Sequence, residues 1–136
     1  MTAKLLVVGG GKMGEALLAG LVGAGWAAAD ELAVVERLPE RRDELAARVP
    51  GLVVTDAAVP ADGVVLAVKP QDVVAACASL VAPARVLSIA AGVTLATLEG
   101  ALPAWTPVVR AMPNTPATVG AGAAAIAAGT AAGEAD

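Results

Sequence analysis

Short apolar runs alternate with stretches of helical periodicity along this chain. Seven strands are predicted by apolar runs at residues 4–8, 32–35, 52–55, 63–68, 85–90, 108–112 and 123–128. Residues 56–62 are expected to form a short connection or a single helical turn. Apolar spacing of three and four predicts helices over residues 13–22, 40–49 (entered through Pro39), 73–81 and 95–101 (capped by Thr94). This alternation predicts an α/β fold, a doubly wound, mainly parallel sheet with helices on both faces.

Three consecutive glycines follow the first strand directly, and a helix follows them. Gly9, Gly11 and Gly14 fit the pattern G-x-G-x-x-G. In that pattern the first glycine permits a tight turn, the second lets a pyrophosphate approach the backbone, and the third lets the helix pack closely on the strand. The free N–H groups of a helix N-terminus add a partial positive charge. The sequence therefore predicts a Rossmann-type dinucleotide site rather than a purely structural turn.

The end of the second strand leaves the choice of dinucleotide open. Glu36 and Arg37 stand there, 22 residues beyond the last glycine of the motif, where such folds contact the adenosine ribose. A carboxylate accepts hydrogen bonds from a free ribose diol and favours NADH. An arginine pairs with a 2′-phosphate and favours NADPH.

Arginines of the next helix are expected to be structural. Arg41 and Arg42 are predicted to lie on its solvated face, and Glu44 and Arg48 are expected to form an i, i+4 ion pair.

Two further side chains have a functional and a structural interpretation. Lys69 follows the central fourth strand, at the edge where open α/β sheets bind ligands. It contacts the cofactor or an acidic substrate, or it is a surface lysine. Cys77 lies on the apolar face of the following helix and is expected to be a small core residue rather than a nucleophile.

Composition narrows the chemistry further. The 136 residues are the size of one domain, which we expect over residues 1–129, with a frayed tail at 130–136. With 57% hydrophobic and only 1% aromatic residues, the core must consist of Val, Leu and Ala.

A net charge of −4 without a basic patch argues against nucleic acid as a binding partner. The absence of histidine removes His-based nucleophile pairs and His metal sites, and we expect no metal. The single cysteine favours the cytoplasm, and no signal peptide or membrane span is expected.

Four segments in order resemble pyrroline-5-carboxylate reductase, the last enzyme of proline biosynthesis. They are VVGGGKMGEALLAGL, AVKPQ, SIAAGVTL and VVRAMPNTPATVGAGAAAIAAG, and the resemblance runs over essentially the whole chain, from residue 4 to about residue 133. The combination of AVKPQ with RAMPNTP is the specific part, since many reductases share the glycine turn. The resemblance implies a domain that binds NADPH or NADH, with hydride transfer to the C=N bond of 1-pyrroline-5-carboxylate to give L-proline.

The resemblance also implies roles for individual residues. The pyrophosphate would be held by Gly9, Gly11, Lys12, Met13 and Gly14. The nicotinamide side would be lined by Ala67, Val68, Lys69 and Pro70. The reacting pocket would be shaped by Ala91, Gly92, Met112, Asn114 and Thr115. No catalytic residue is assigned, and the pocket candidates are Lys69, Asn114 and Thr115. Asp56 is expected in place of an asparagine that often contacts the cofactor after the third strand.

This chain departs from the family pattern in two ways. Many members have Asn-Arg where this sequence has Glu36 and Arg37. Members also continue into an all-helical domain that forms the dimer and completes the substrate site with a Ser-Gly-Ser-Gly-Pro-type segment. We therefore expect a cofactor-binding half with little turnover of its own, belonging to a homo-oligomeric enzyme. Other hypotheses are a 3-hydroxyacid dehydrogenase, an F420-dependent NADP reductase, and a non-catalytic nucleotide-binding module or truncated remnant.

Overall fold

Seven strands form one sheet in the computed structural model, which describes residues 2–113 and 124–136. They are β1 (Ala3–Val8), β2 (Leu32–Val35), β3 (Val53–Thr55), β4 (Ala61–Leu66), β5 (Val86–Ser88), β6 (Val108–Pro113) and β7 (Ala124–Ala128). Their order is β3-β2-β1-β4-β5-β6-β7, parallel except for the antiparallel pair β6–β7. The order reverses between β1 and β4, which places a crevice at the carboxyl ends of these strands. The predicted fold class is confirmed.

In the part of the chain that the structure describes, four α-helices cover the two faces of the sheet. They are α1 (Lys12–Gly23), α2 (Pro39–Arg48), α3 (Val73–Ala78) and α4 (Leu95–Ala101). Leu18 of α1 and Leu45 of α2 pack on one face with Val7 of β1, whereas α3 and α4 pack on the other face, which includes Leu6 and Val8. Strands buried on both faces explain the nearly continuous apolar runs. As predicted, the Thr94 hydroxyl caps α4, accepting the N–H of Thr97 at 3.1 Å.

Strand boundaries differ from the predictions at the two central strands. β4 begins at Ala61, two residues earlier than predicted, because it pairs with the whole of β1, from Ala3 onward. The polar Asp62 is exposed within an otherwise buried strand, which hides this start from an apolar pattern. β4 also ends at Leu66, and β5 is shorter than predicted. Ala67 and Val68 therefore lie beyond the strand, in the segment that leads into the site.

The predicted helix over residues 73–81 is wrong in length. A 3₁₀ turn (Pro70–Asp72) precedes α3, which has only six residues. The N–H groups of Ser79 and Leu80 bond to carbonyls three residues back, and this tightening ends the helix before Val81. Val81 and Val74 are exposed, contrary to prediction.

Cys77 lies in the core of the α3 and α4 face, as predicted. Burial raises the pKa of its thiol, because a low-polarity environment disfavours the thiolate. The thiolate is the nucleophilic form, so this cysteine is a packing residue.

The last residues of the chain fold back onto the sheet. The N–H of Gly129 donates to the carbonyl of Val108 at 2.7 Å. Arg85 lies 3.8 Å from the Asp136 carboxylate and donates to the carbonyl of Ala135 at 3.4 Å. The domain boundary at residue 129 stays a prediction. Among residues 2–113 and 124–136, no helix has the length and apolar character needed to cross a membrane.

Candidate dinucleotide-binding site

The predicted site residues meet at the carboxyl edge of the parallel strands. The glycine turn after β1 lies between the ends of β2 and β4, because the N–H of Gly9 donates to Val35 at 3.0 Å and that of Ala67 donates to Val8 at 2.8 Å. The other candidates follow the neighbouring strands: Glu36 and Arg37 after β2, Ala67, Val68, Lys69 and Pro70 after β4, and Ala91 and Gly92 after β5, with Met112 near the end of β6. Asn114 and Thr115 lie outside the described residues.

Each glycine of the motif has a distinct steric environment. Gly9 has a φ of +106°, and a Cβ there would lie 2.6 Å from the carbonyl oxygen of Ala67. A Cβ on Gly14 would collide with the carbonyl oxygen of Gly9, so only glycine lets α1 pack this closely on the turn. A Cβ on Gly11 would have no atom within 4 Å. Gly11 is the N-cap of α1, so the turn leaves open space in front of the helix N-terminus.

The middle glycine, Gly10, is held on both sides. Its N–H donates to Oε2 of Glu36 at 3.1 Å, and its carbonyl accepts Nε of Arg41 at 2.6 Å. A Cβ at this position would lie 2.5 Å from Cδ1 of Leu45. We call Glu36 and Arg41 the Gly10 clamp. The motif leaves this position unspecified, so the sequence pattern did not reveal the clamp.

The prediction that Arg41 lies on a solvated helix face is therefore wrong. Its side chain is only 17% exposed, and its guanidinium lies 2.8 Å from Glu44 and 3.6 Å from Glu15 of α1. The hydrogen bond that Arg41 donates to Glu44, together with the nearby negative charges, raises the pKa of Arg41 against the opposing effect of burial. The same hydrogen bond lowers the pKa of Glu44. Arg48 pairs with Glu15 at 3.1 Å rather than with Glu44, so the predicted i, i+4 pair is replaced by links between α1 and α2.

Arg42 also has a structural partner rather than a solvated position. One of its guanidinium nitrogens donates to the carbonyls of Glu36 and Arg37, both at 2.9 Å, and so fixes the chain as it leaves β2. Cations in the first turn of a helix oppose its dipole, so the position of two arginines just after Pro39 favours anionic or carbonyl partners, although it does not show which groups these are.

The two residues after β2 point to different parts of the site. The Glu36 carboxylate is directed into the glycine turn. The Arg37 side chain is 82% exposed and lies 3.8 Å from Asp72, in the 3₁₀ turn after β4. This long ion pair spans the crevice from the β2 side to the β4 side.

Lys69 and Asp56 are both exposed, the first just before the 3₁₀ turn and the second after β3. In the described part of the chain, no group of three or more acidic or cysteine side chains could hold a metal ion.

Residues 4–92 match the sequence model of the family described as NADP oxidoreductase, coenzyme F420-dependent. The chain belongs to this family. The matched range runs from β1 to the loop after β5. It therefore includes the glycine turn, the Gly10 clamp and the Arg37–Asp72 pair of this NADP oxidoreductase family member.

Several curated relatives of this family member are named pyrroline-5-carboxylate reductase. The Mycobacterium leprae protein is 49% identical over 138 residues, which cover 93% of this chain and 47% of the relative. The Synechocystis protein is 43% identical and covers 94% of this chain and 50% of the relative. A solved pyrroline-5-carboxylate reductase from Coxiella burnetii superimposes with a TM-score of 0.86 at 32% identity, covering 99% of this chain and 53% of the other. The predicted resemblance is confirmed, and the chain spans about half the length of these relatives.

Proposed function

We propose that this chain is the NADPH-binding half of a pyrroline-5-carboxylate reductase. The reaction is reduction of the C=N bond of 1-pyrroline-5-carboxylate to L-proline. One structural observation supports the cofactor site above all: a clamped glycine turn with open space at Gly11, at the point where the strand order reverses. The names of the relatives support the substrate class. We also propose a cytoplasmic location, which the single cysteine favours, and a homo-oligomeric complete protein, as the family resemblance implies.

The site offers a position for each part of the cofactor. The backbone N–H groups at the start of α1 bind the pyrophosphate, in the space that the missing Cβ of Gly11 leaves open. Ala67, Val68, Lys69 and Pro70 line the nicotinamide side, since they follow β4 and lie beside the turn. When bound, NADPH supplies the hydride that reduces the C=N bond. The exposed Lys69 is a candidate to attract the carboxylate of the substrate or a phosphate of the cofactor.

The surroundings of Glu36 and Arg37 favour NADPH over NADH. Oε2 of Glu36 already accepts the N–H of Gly10, so the carboxylate has less capacity to bind a ribose diol. Arg37 is exposed at the same strand end, forms a long ion pair with Asp72, and is available to a 2′-phosphate.

Arg37→Ala is expected to weaken NADPH binding about 5- to 30-fold and to leave NADH binding within about twofold, because a charge-assisted contact to the 2′-phosphate is lost. Titration of both dinucleotides by the change in their fluorescence measures the two dissociation constants. Arg85→Ala is the matched control, since Arg85 precedes β5 at the opposite edge of the sheet. Equal losses for both dinucleotides would contradict this role for Arg37.

The purified 136-residue chain is expected to bind NADPH without turning over 1-pyrroline-5-carboxylate at an ordinary enzymatic rate of about 1–10³ s⁻¹. Hydride transfer requires the imine to be held in a near-attack geometry, and the chain spans about half of its reductase relatives. NADPH fluorescence reports binding, and loss of NADPH absorbance with saturating substrate reports turnover. A folded chain that binds no NADPH would refute the proposed function. Turnover at an ordinary enzymatic rate would refute only the expectation that the substrate site needs residues outside these 136.

A second candidate is a reductase that transfers a hydride between NADP and coenzyme F420, which the description of the matching family favours. The Mycobacterium leprae relative named pyrroline-5-carboxylate reductase aligns over 93% of this chain, which extends beyond residues 4–92 of the family match. Assay of the complete gene product with 1-pyrroline-5-carboxylate, 3-hydroxyacids and F420 distinguishes these reductases. Dinucleotide binding without activity on any of them would favour a non-catalytic module.

A further inference from the structure

We propose that Asp72 is a specificity-determining residue, which competes with the 2′-phosphate of NADPH for Arg37 and so limits the preference for NADPH over NADH. This inference rests on the proposed function, because it requires that Arg37 receives the 2′-phosphate. It adds a residue on the far side of the crevice, in the 3₁₀ turn after β4, that the glycine motif and the strand-end residues do not include.

The contact between Asp72 and Arg37 joins two segments that are separated by the end of β1. Arg37 leaves β2 and Asp72 follows β4, and these strands flank β1 on opposite sides. Oδ2 of Asp72 lies 3.8 Å from the Arg37 guanidinium. The pair thus crosses the crevice in which the adenosine side of a dinucleotide would lie.

Both members of the pair are open to solvent, with side chains 82% exposed for Arg37 and 37% exposed for Asp72. An exposed, long ion pair of this kind is weak, because water screens the attraction and two side chains lose freedom. A 2′-phosphate carries more negative charge and forms shorter, charge-assisted hydrogen bonds to a guanidinium. The phosphate therefore replaces Asp72 as the partner of Arg37.

Replacement leaves a carboxylate close to a phosphate of the same sign. Two charges held within several ångströms of each other repel even in water, and a doubly charged phosphate doubles that repulsion. NADH has a hydroxyl at this position and meets no such repulsion. Asp72 therefore weakens NADPH binding selectively.

Asp72→Asn removes the charge and conserves the shape of the side chain. It also leaves the start of α3 unchanged, since the Asp72 side chain makes no capping hydrogen bond to that helix. The matched control is Asp30→Asn, which makes the same charge change at an exposed position before β2, at the opposite edge of the sheet. Thermal unfolding of the three proteins establishes that each is folded.

The test is titration of each protein with NADPH and with NADH at the same ionic strength. Asp72→Asn is expected to tighten NADPH binding about three- to tenfold and to change NADH binding less than about twofold. Asp30→Asn should change neither by more than about twofold. An unchanged ratio of the two dissociation constants in Asp72→Asn, or weaker NADPH binding, would overturn the inference and leave the proposed function intact. If the unsubstituted chain bound neither dinucleotide, the proposed function and this inference would both fail.

Discussion

Replacing Gly14 with alanine is expected to lower the free energy of unfolding by about 1–3 kcal/mol and to weaken NADPH binding at least about 100-fold. The added Cβ would collide with the carbonyl oxygen of Gly9 and would lie 3.3 Å from Cγ1 of Val7. The colliding atom belongs to the backbone of the turn, so no side chain can rotate to relieve the contact. Either α1 moves away from β1 or the glycine turn opens.

Either movement displaces the groups that bind the pyrophosphate. The N–H groups at the start of α1 and the space at Gly11 form one unit with the turn, because the N–H of Glu15 bonds to the carbonyl of Gly11 at 2.9 Å. Misplacement of a binding group by about 1 Å is enough to lose two orders of magnitude in function. The loss of affinity should therefore exceed what the loss of stability alone predicts.

Gly20→Ala is the matched control in the same helix. A Cβ on Gly20 would have no atom within 4 Å, and alanine is favoured over glycine in a helix interior by about 0.5–1 kcal/mol. Gly20→Ala should therefore raise the free energy of unfolding and leave NADPH affinity unchanged. Urea unfolding and NADPH titration of the two variants provide the comparison. If Gly14→Ala behaved like Gly20→Ala, the close packing of α1 on the turn would not be required for binding.

The glycine turn could be predicted from the sequence because its cause is local. A strand, a glycine-rich turn and a helix occupy one short stretch, and a Cβ on Gly14 would meet Gly9 and Val7 of that same stretch. Gly9 has a φ of +106°, which belongs to the tight turn itself, although a Cβ there would also meet Ala67 after β4. The same holds for the sheet, since apolar runs and helical spacing are local patterns. Errors appear where a long-range contact decides, as at Ala61, which is a strand residue because it pairs with Ala3.

The Gly10 clamp could not be predicted because its contacts cross between segments far apart in sequence. Arg41 bonds to a backbone carbonyl 31 residues away, and a carbonyl has no side-chain identity to read. Glu36 has the residue type expected for a ribose contact, yet one of its oxygens is used by the N–H of Gly10. The sequence shows which groups are near the adenosine site, and only the fold shows which of them already have partners.

Removal of Arg41 is the second large effect that we expect. Arg41→Ala should weaken NADPH binding about 10- to 100-fold and lower the free energy of unfolding by about 1–3 kcal/mol. The guanidinium is mostly buried and donates a short hydrogen bond to the Gly10 carbonyl, while it also neutralises Glu15 and Glu44. Alanine leaves that carbonyl without its donor and leaves Glu15 with Arg48 as its remaining ion-pair partner.

Arg48→Ala distinguishes the effect of losing the hydrogen bond to Gly10 from the effect of losing an ion pair with Glu15. Arg48 is in the same helix and contacts the same Glu15, but its side chain is 58% exposed and its hydrogen bonds go to Glu15 rather than to Gly10. Exposed ion pairs contribute up to about 1 kcal/mol, so this variant should lose little stability and bind NADPH nearly normally. Equal effects of the two alanine variants on NADPH affinity would show that the charge near Glu15, and not the bond to Gly10, is what matters.

Arg41→Lys then distinguishes positioning of the turn from simple loss of a buried side chain. Lysine conserves the positive charge beside Glu15 and Glu44, so most of the stability should return. Its single ammonium group cannot reproduce a planar fork that bonds to the Gly10 carbonyl through Nε and to Glu44 through a terminal nitrogen at the same time. We therefore expect Arg41→Lys to unfold close to the unsubstituted protein while its NADPH affinity stays several-fold lower. Full recovery of both quantities would mean that charge alone holds α2 against the turn, and that the hydrogen bond to Gly10 does not position the dinucleotide site.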